Sequence, residues 1–234
     1  MAIREELDVA AHNIANMNTP SYKGERMVFR EYISAPNYRE RHSFVDRVGL
    51  SRDTTLGSFK TTNNVLDFAL SNENNFFVID TPMGERFTRH GHFELNEEGE
   101  LVTTDGYRVM GNGNSIQIPE TAGENIMVTA DGAIHIGNAV NEAFDQLRVV
   151  EINDSTLLKR AAGSLYILNA DNVAPLAGQP SVLQGILENS NVKAITELTR
   201  ITEISRMYEA INGFLDKEDK RVTRMLEGLG KPFN

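Results

Sequence analysis

Residues 76–89 read Phe-Phe-Val-Ile-Asp-Thr-Pro-Met-Gly-Glu-Arg-Phe-Thr-Arg, and their pattern decides the fold. The apolar run Phe76-Phe77-Val78-Ile79 is closed by the turn residues Thr81-Pro82-Met83-Gly84, and the short segment Arg86-Phe87-Thr88-Arg89 follows. Outward from it come Phe93-Glu94-Leu95, then Leu101-Val102-Thr103, Asp105-Gly106 and Tyr107-Arg108-Val109-Met110. A second Asp-Gly, Asp131-Gly132, separates Ile126-Met127-Val128 from Ile134-His135-Ile136. Each Asp-Gly is expected as a type I′ turn, in which both central residues take φ > 0 and the twist matches the flanking strands. Leu147-Arg148-Val149-Val150 and Leu165-Tyr166-Ile167-Leu168 read as two later strands. Short strands at intervals of about 8–12 residues predict a central antiparallel β domain, a sandwich or open barrel, over residues 60–180.

The period changes from two to helical at both ends, so the fold class is α+β. At the N-terminus Ile3, Leu7, Ala10, Ile14 and Met17 step by fours and threes, the spacing that keeps one narrow apolar stripe on a helix. Asn18-Thr19-Pro20-Ser21 ends it, because the residue before a proline avoids the α region. Residues 1–23 are therefore the N-terminal helix and its exit. Residues 24–59, polar and with Pro36 and several arginines, read as an extended connector. Pro175 and Pro180 mark a returning linker, and residues 181–234 carry a linker and a long C-terminal helix. Asn189-Ser190-Asn191 offers N-cap side chains. The helical seam runs Ile201, Ile204, Tyr208, Ile211, Leu215, Glu218, Val222, Met225, Leu229. Leu198, Met207, Phe214 and Leu226 flank it, where a two-stranded coil usually carries charge, and such flanks favour bundles of more than two helices. The N- and C-terminal helices are expected to form a coiled-coil-like helical domain. A helix over 189–229 would be ~60 Å long, against a radius of gyration of ~13 Å for a compact domain of the β segment's size. It is therefore expected to project beyond that domain and to pack against neighbouring subunits.

The chain has 234 residues and a net charge of −10. Residues 61–180 hold 6 Lys+Arg against 17 Asp+Glu, while both ends are near neutral. So acidic a middle repels phosphate backbones, so no nucleic acid partner is expected. No apolar run approaches the ~18 residues of a membrane helix, so no membrane insertion is expected. The first ten residues lack a basic region followed by an apolar core, so no cleaved signal peptide is expected. Cysteine is absent, which excludes disulfides and thiolate chemistry.

Chemistry-bearing patterns are sparse. His90 and His92 would share one face of a strand, but spacing supplies no third metal ligand. Gly111-Asn112-Gly113-Asn114-Ser115 is glycine-rich, yet no Lys-Ser/Thr and no helix pattern follow, so it reads as a turn. The carboxylates of the β segment could include a catalytic pair, but abundance alone identifies none. Asn153-Asp154-Ser155 matches a glycosylation pattern that is very common by chance. No catalytic residue, cofactor or metal is assigned. The asparagines cluster more tellingly: Asn13, Asn16 and Asn18 near the end of the first helix, Asn189 and Asn191 at the start of the last. They fit helix capping and turns, or, for an amide buried between helices, the selection of one register.

Residues 12–23, His-Asn-Ile-Ala-Asn-Met-Asn-Thr-Pro-Ser-Tyr-Lys, resemble the N-terminal signature of bacterial flagellar rod and hook proteins, close to A-N-N-I-A-N-x-N-T-x-G-[FY]-K. His12 stands where the pattern has asparagine, and Ser21 where it has glycine, so a side chain there disfavours φ > 0. Gln184-Gly185-Ile186-Leu187-Glu188-Asn189-Ser190-Asn191-Val192, then Glu197-Leu198 and Arg206-Met207-Tyr208-Glu209, resemble the second signature. The middle is similar as well: Leu66-Asp67-Phe68-Ala69-Leu70, Phe76-Phe77-Val78, Phe87-Thr88-Arg89-His90-Gly91-His92-Phe93, Gly99-Glu100-Leu101-Val102-Thr103 and Asp105-Gly106-Tyr107. The family's usual Thr-Gly-Asn stands here as Thr62-Asn63-Asn64.

The resemblance implies a structural subunit rather than an enzyme. Such proteins pass through the flagellar export machinery without a cleaved signal. They assemble with other rod proteins and copies of themselves into the periplasm-spanning rod of the basal body, with the terminal helices forming the inner tube. Size and motif wording favour a proximal rod protein, with a distal rod protein as the alternative. Family members usually carry further residues ahead of this chain's first, so it is expected to start internally or to be truncated. On this reading the assembly interface is Ile3, Leu7, Asn13, Ile14, Asn16, Met17, Leu198, Ile201, Ile204, Met207, Tyr208, Ile211, Phe214, Leu215, Val222, Met225 and Leu229. The competing class is a β-rich binding domain or enzyme with a coiled-coil tail. It requires a pocket of convergent polar groups that the sequence does not reveal.

Overall fold

The computed structural model describes residues 2–37, 40–119, 125–137, 143–152, 158–161, 163–168, 174–175 and 180–229. Asn153-Asp154-Ser155 and most of the returning linker lie outside them. The class is α+β with antiparallel sheets, and no barrel closes among the described residues. The chain divides into two compact units: one from residues 1–15, 25–50 and 193–234, the other from 16–24 and 51–192.

The first unit holds helix α1 (Ala2–Ala15), strands β1 (Glu25–Asn37) and β2 (Glu40–Arg52), and helix α2 (Ala194–Leu229). The stretch read as an extended connector is thus two strands that pair with each other. Its arginines and Pro36 read as a connector, and a pairing between two strands is a non-local outcome that composition does not report. α1 stops before Met17 because the chain turns at Asn16: Thr19 N donates to Asn16 O at 3.1 Å, and Thr19 Oγ1 to Asn16 Oδ1 at 3.2 Å. α2 starts later than expected, with Glu197 N donating to Lys193 O at 3.1 Å. Its 36 residues make it ~54 Å long.

Polar pairs join the helices, among them Arg4 Nη2 to Tyr208 OH at 3.1 Å, Arg200 Nη2 to Glu6 Oε1 at 2.9 Å, and Asn13 Nδ2 to Glu197 Oε2 at 3.3 Å. As α1 advances its partners on α2 recede, so the two run antiparallel. Ala10 and Ile204 are buried in this unit.

The second unit begins with β3 (Phe59–Thr61), β4 (Phe68–Leu70), β5 (Asn75–Thr81), β6 (Gly84–Thr88), β7 (Phe93–Leu95), β8 (Leu101–Thr103) and β9 (Arg108–Val109). There follow β10 (Ile126–Val128), β11 (Ala133–Ile136), β12 (Asp145–Gln146), β13 (Val149–Glu151), β14 (Lys159–Arg160), β15 (Leu165–Ile167), β16 (Ala174–Pro175), β17 (Val182–Gln184) and β18 (Ile186–Glu188). The main sheet is ordered β14-β15-β6-β5-β9-β8-β7, with β13 branching from β5 and β16 from β13. β5 is its centre, and all four residues of Phe76–Ile79 are buried. Phe77 and Ile79 enter one apolar cluster with Phe68, Phe93 and Leu101, while Phe76 and Val78 enter another with Phe87, Ile152 and Tyr166. Alternate side chains leave opposite faces of a strand, so this sheet is packed on both sides. The C-terminal β17 and β18 pair with β4 and β3, drawing the distant sequence ends of the unit together.

Backbone conformation departs from expectation twice. The Asp-Gly turns are not type I′, because only the glycines take φ > 0, at +81° in both Gly106 and Gly132. Thr103 pairs with Tyr107 and Thr129 with Ala133 across three-residue loops, while Gly106 N bonds Thr103 O and Gly132 N bonds Thr129 O. This is the turn-plus-bulge hairpin, which needs one left-handed residue where type I′ needs two. Ser21, conversely, does take φ +57°, and Asn63 takes φ +58°; they are the two non-glycine residues with positive φ among those described. Asn63 has the short polar side chain that tolerates this region, and Ser21 is held there by hydrogen bonds described below.

Gly213 lies inside α2 with nothing within 4 Å of where a Cβ would sit. Replacing it with alanine is expected to raise the stability of the isolated helix by up to about 1 kcal/mol. The check is the helical circular-dichroism signal on heating; an unchanged melting profile for Gly213→Ala contradicts it.

Candidate functional site

The most concentrated chemistry lies in the second unit, where two cations and a carboxylate are almost wholly buried together. Lys23, Arg89 and Glu188 are 3%, 2% and 1% exposed. Lys23 sits beyond the turn that ends α1, Arg89 directly after β6, and Glu188 is the last residue of β18. Lys23 Nζ lies 2.6 Å from Glu188 Oε1, and Arg89 Nε and Nη2 each lie 3.0 Å from Oε2. Gly57 N donates to Oε1 at 3.0 Å.

Two cations face one carboxylate, and backbone carbonyls absorb the excess positive charge. Arg89 Nη1 donates to the carbonyls of Asn72, Glu73 and Asn75, and Nη2 to Leu70 O, so every guanidinium nitrogen has an acceptor. Lys23 Nζ also donates to Thr55 O at 2.6 Å. Burial lowers the Lys23 pKa from its usual value, and the Glu188 carboxylate opposes that shift. Hydrogen bonds to ionised groups are the strong ones, roughly twice neutral ones.

The backbone is tied in at the same place. Ser21 N donates to Glu188 O and Ser21 Oγ to Arg89 O, both at 2.8 Å, which offsets the roughly 1–2 kcal/mol of a left-handed L residue. Asn191 is the matching amide. Its Oδ1 accepts from Gly24 N at 2.8 Å, and its Nδ2 donates to Asp53 O at 2.9 Å and Thr55 O at 3.1 Å. Asn189 Nδ2 donates to Ser58 Oγ at 3.0 Å. Asn189 and Asn191 are therefore cross-links between strand ends, not N-caps, and α2 begins only after them. A Cβ on Gly57 would sit 1.9 Å from Asn189 O, so this approach requires glycine.

The residues expected at an assembly interface fall in several settings. Ile3, Leu7 and Tyr208 line a groove of about 540 Å³ with Arg4, Asp8, Ser205 and Glu209. Ile14 and Ile201 are half-buried and Ile204 is buried. Asn13 is 1% exposed; its Oδ1 accepts from Glu25 N and its Nδ2 donates to Glu25 O and Glu197. Asn16 and Met17 lie beyond the helix and in the other unit. Leu198, Met207, Ile211, Phe214, Leu215, Val222 and Met225 are all exposed, as is Leu226. Leu229 closes α2, and its side chain lies outside the described residues.

His90 and His92 lie in the β6–β7 connection rather than on a strand, with ring centroids 6.2 Å apart. His92 Nδ1 is 2.6 Å from Asp67 Oδ1. A second groove, of about 470 Å³, is lined by Asp80, Pro82, Asn96, Glu100, Tyr107 and Arg108 among others. Its Glu100 is committed to Arg108, Asn96 and Ser115, and the Arg108 hydrogen bond lowers its pKa.

Sequence reading missed the Lys23–Glu188–Arg89 cluster. The available signal was a charge set against apolar neighbours in three separate motifs: Tyr22-Lys23, Phe87-Thr88-Arg89 and Ile186-Leu187-Glu188. An arginine whose nitrogens are all taken up internally is a clasp between segments of the chain. Residues 1–23 match the family described as flagella basal body rod protein, 72–136 the flagellar hook protein FlgE/F/G D1 domain, and 183–214 the flagellar basal body rod FlgEFG protein C-terminal. The chain is 34% identical to the flagellar basal-body rod protein FlgF of Caulobacter vibrioides, over 99% of this chain and 94% of the relative. It is also 34% identical to FlgF of Rhizobium meliloti, over 98% and 94%, and 30% identical to FlgG of Agrobacterium fabrum, over 97% and 95%. The chain belongs to the flagellar basal-body rod protein family. It is a structural subunit of the basal-body rod, located in the flagellar basal body, and family membership implies assembly with other rod proteins. No described helix is long and apolar enough to cross a membrane.

Removing the shared carboxylate leaves two buried cations facing each other. Glu188→Gln is expected to cost about 3–5 kcal/mol in urea unfolding of the β unit, and Lys23→Met clearly less, because the Arg89–Glu188 pair survives. Equal losses for the two variants would refute the shared-carboxylate account.

The His90 pKa is lowered, first by burial and then by His92, against the raising effects of Asp105 and Asp67. A group with a depressed folded pKa binds fewer protons folded than unfolded, so stability falls as pH drops below the ordinary histidine value of about 6.5. His90→Gln should flatten that fall in denaturation midpoints measured from neutral to acidic pH. An undiminished slope in the variant assigns the effect elsewhere.

Proposed function

We propose that the chain occupies the proximal part of the rod and polymerises through its terminal helices. The observation that carries this is the free length of α2. Arg4 of α1 bonds α2 at Tyr208, yet Ile211, Phe214, Leu215, Val222, Met225 and Leu226 beyond it are 42–64% exposed. Fully burying such a side chain is worth about 1.5–3 kcal/mol, so a row of them at helical spacing favours partner helices. Apolar residues on both the seam and its flanks suit a bundle of several helices, in which α1 and α2 pack coiled-coil-like with those of other subunits. The antiparallel register set by Asn13 and Glu197 supports that arrangement.

The division of labour proposed gives assembly to the helices α1 and α2, and leaves the β-rich unit of residues 16–24 and 51–192 as the part not used in helix packing. The relatives named FlgF support the proximal position; a distal position is the second reading, favoured by the FlgG relative that covers nearly the whole chain. On this function the chain catalyses nothing and needs no cofactor. It reaches the periplasm through the flagellar export machinery without a cleaved signal, has no nucleic acid partner and does not insert into a membrane.

Phe214→Asp combined with Met225→Asp alters side chains exposed in the single chain. The pair is expected to abolish polymerisation and co-assembly in sedimentation and negative-stain microscopy while the β-unit unfolding transition stays in place. Filaments of normal length from the double variant would defeat the proposal.

A further inference from the structure

The chain contains two Asn-Gly dipeptides, Asn112-Gly113 and Asn212-Gly213, in opposite settings. Asn112 is exposed in the loop joining β9 towards the next segment, closed by a bridge between Met110 and Ser115 and by Gly111 N to Asn114 O at 2.7 Å. Gly113 is exposed, with φ +127° and open space where a Cβ would be. Among the described residues its amide donates to Gly111 O, at 2.9 Å, a bond within the loop that can open without disturbing the sheet. Asn212 instead lies inside α2, where the following amide is engaged along the helix and the backbone is locked.

We propose that Asn112-Gly113 is a site of intramolecular deamidation selected by this structure. The deprotonated Gly113 nitrogen attacks Asn112 Cγ. A C–N bond forms, the side-chain nitrogen leaves as ammonia, and a five-membered imide remains. Water opens either imide carbonyl to give aspartate or isoaspartate, so the net change is water in and ammonia out, with no oxidant or reductant. The product puts a carboxylate beside Asp145, whose Oδ1 accepts from Asn112 N at 3.4 Å and from Gln146 N at 2.7 Å. A like charge on residue 112 weakens the hold of Asp145 on that amide, and isoaspartate also lengthens the backbone between Gly111 and Asn114. On the polymerisation through the terminal helices proposed above, the subunit stays in place once assembled, so the added charge accumulates with the age of the structure. The chemistry itself does not depend on that reading.

The test incubates the full chain at mildly alkaline pH, native and in urea, and reads deamidation by mass spectrometry of tryptic fragments, with isoaspartyl methyltransferase labelling to identify the isomer. In the native sample Asn112 is expected to react at close to its urea rate, and Asn212 roughly tenfold slower than in urea, as a locked segment must open first. Asn112→Gln should abolish the gain in the fragment spanning 109–148. Native reactivity of Asn112 suppressed as strongly as that of Asn212, equal native rates at the two sites, or a gain that persists in Asn112→Gln would each overturn the proposal.

Discussion

The buried carboxylate of Glu188 organises the second unit. It is shared by Lys23 from the N-terminal signature and Arg89 from the middle of the chain, and it stands on the last strand before the C-terminal helix. Desolvating an ion costs several kcal/mol unless its partners are close and its remaining valences are filled. Here the carboxylate takes Lys23, Arg89 and Gly57 N, and the guanidinium takes four carbonyls around the β4–β5 turn. Each bond is directional, so the cluster can form only when three segments far apart in sequence meet in one register. Apolar burial supplies bulk stability to this unit, but it does not distinguish registers as sharply as unpaired buried ions do.

This arrangement explains why both ends of the chain take part in a β-rich unit. Residues 16–24 and the strands β17 and β18 belong to it by contact, not to the helical unit that follows them in sequence. Ser21 shows the cost being met locally: an unfavourable backbone conformation persists because its amide and hydroxyl each satisfy a buried carbonyl. The helical unit has its own polar key in Asn13, whose amide bonds both the main chain at Glu25 and the side chain of Glu197. Asn13 thus serves as a register-setting amide, while Asn16 serves the turn that ends α1.

The elements legible in the sequence were those with a strong local period. β5, β6, β7, β8, β10, β11 and β15 fall on the expected segments, because alternating or continuous apolar runs mark strands buried on one or both faces. The two helices were visible by their stripes. What escaped was non-local. β3, β17 and β18 are three residues each and take their form from partners more than a hundred residues away. β1 and β2 lie in a stretch whose arginines and Pro36 read as a connector. The start of α2 was misplaced because Asn189 and Asn191 look like caps in one dimension and are cross-links in three. The Asp-Gly turns were located correctly, but their type depended on loop length, which the strand pairing sets.

By itself the sequence determined the class of fold, the order of helix, strands and helix, and the family to which the chain belongs, since these follow from side-chain periodicity and motif wording. Only the tertiary structure decided which charges are buried together, that Ser21 is left-handed, and which part of α2 remains exposed beyond α1. Those outcomes depend on which distant segments meet, and the energy of a buried charge or a strained backbone is defined only once its surroundings are in place.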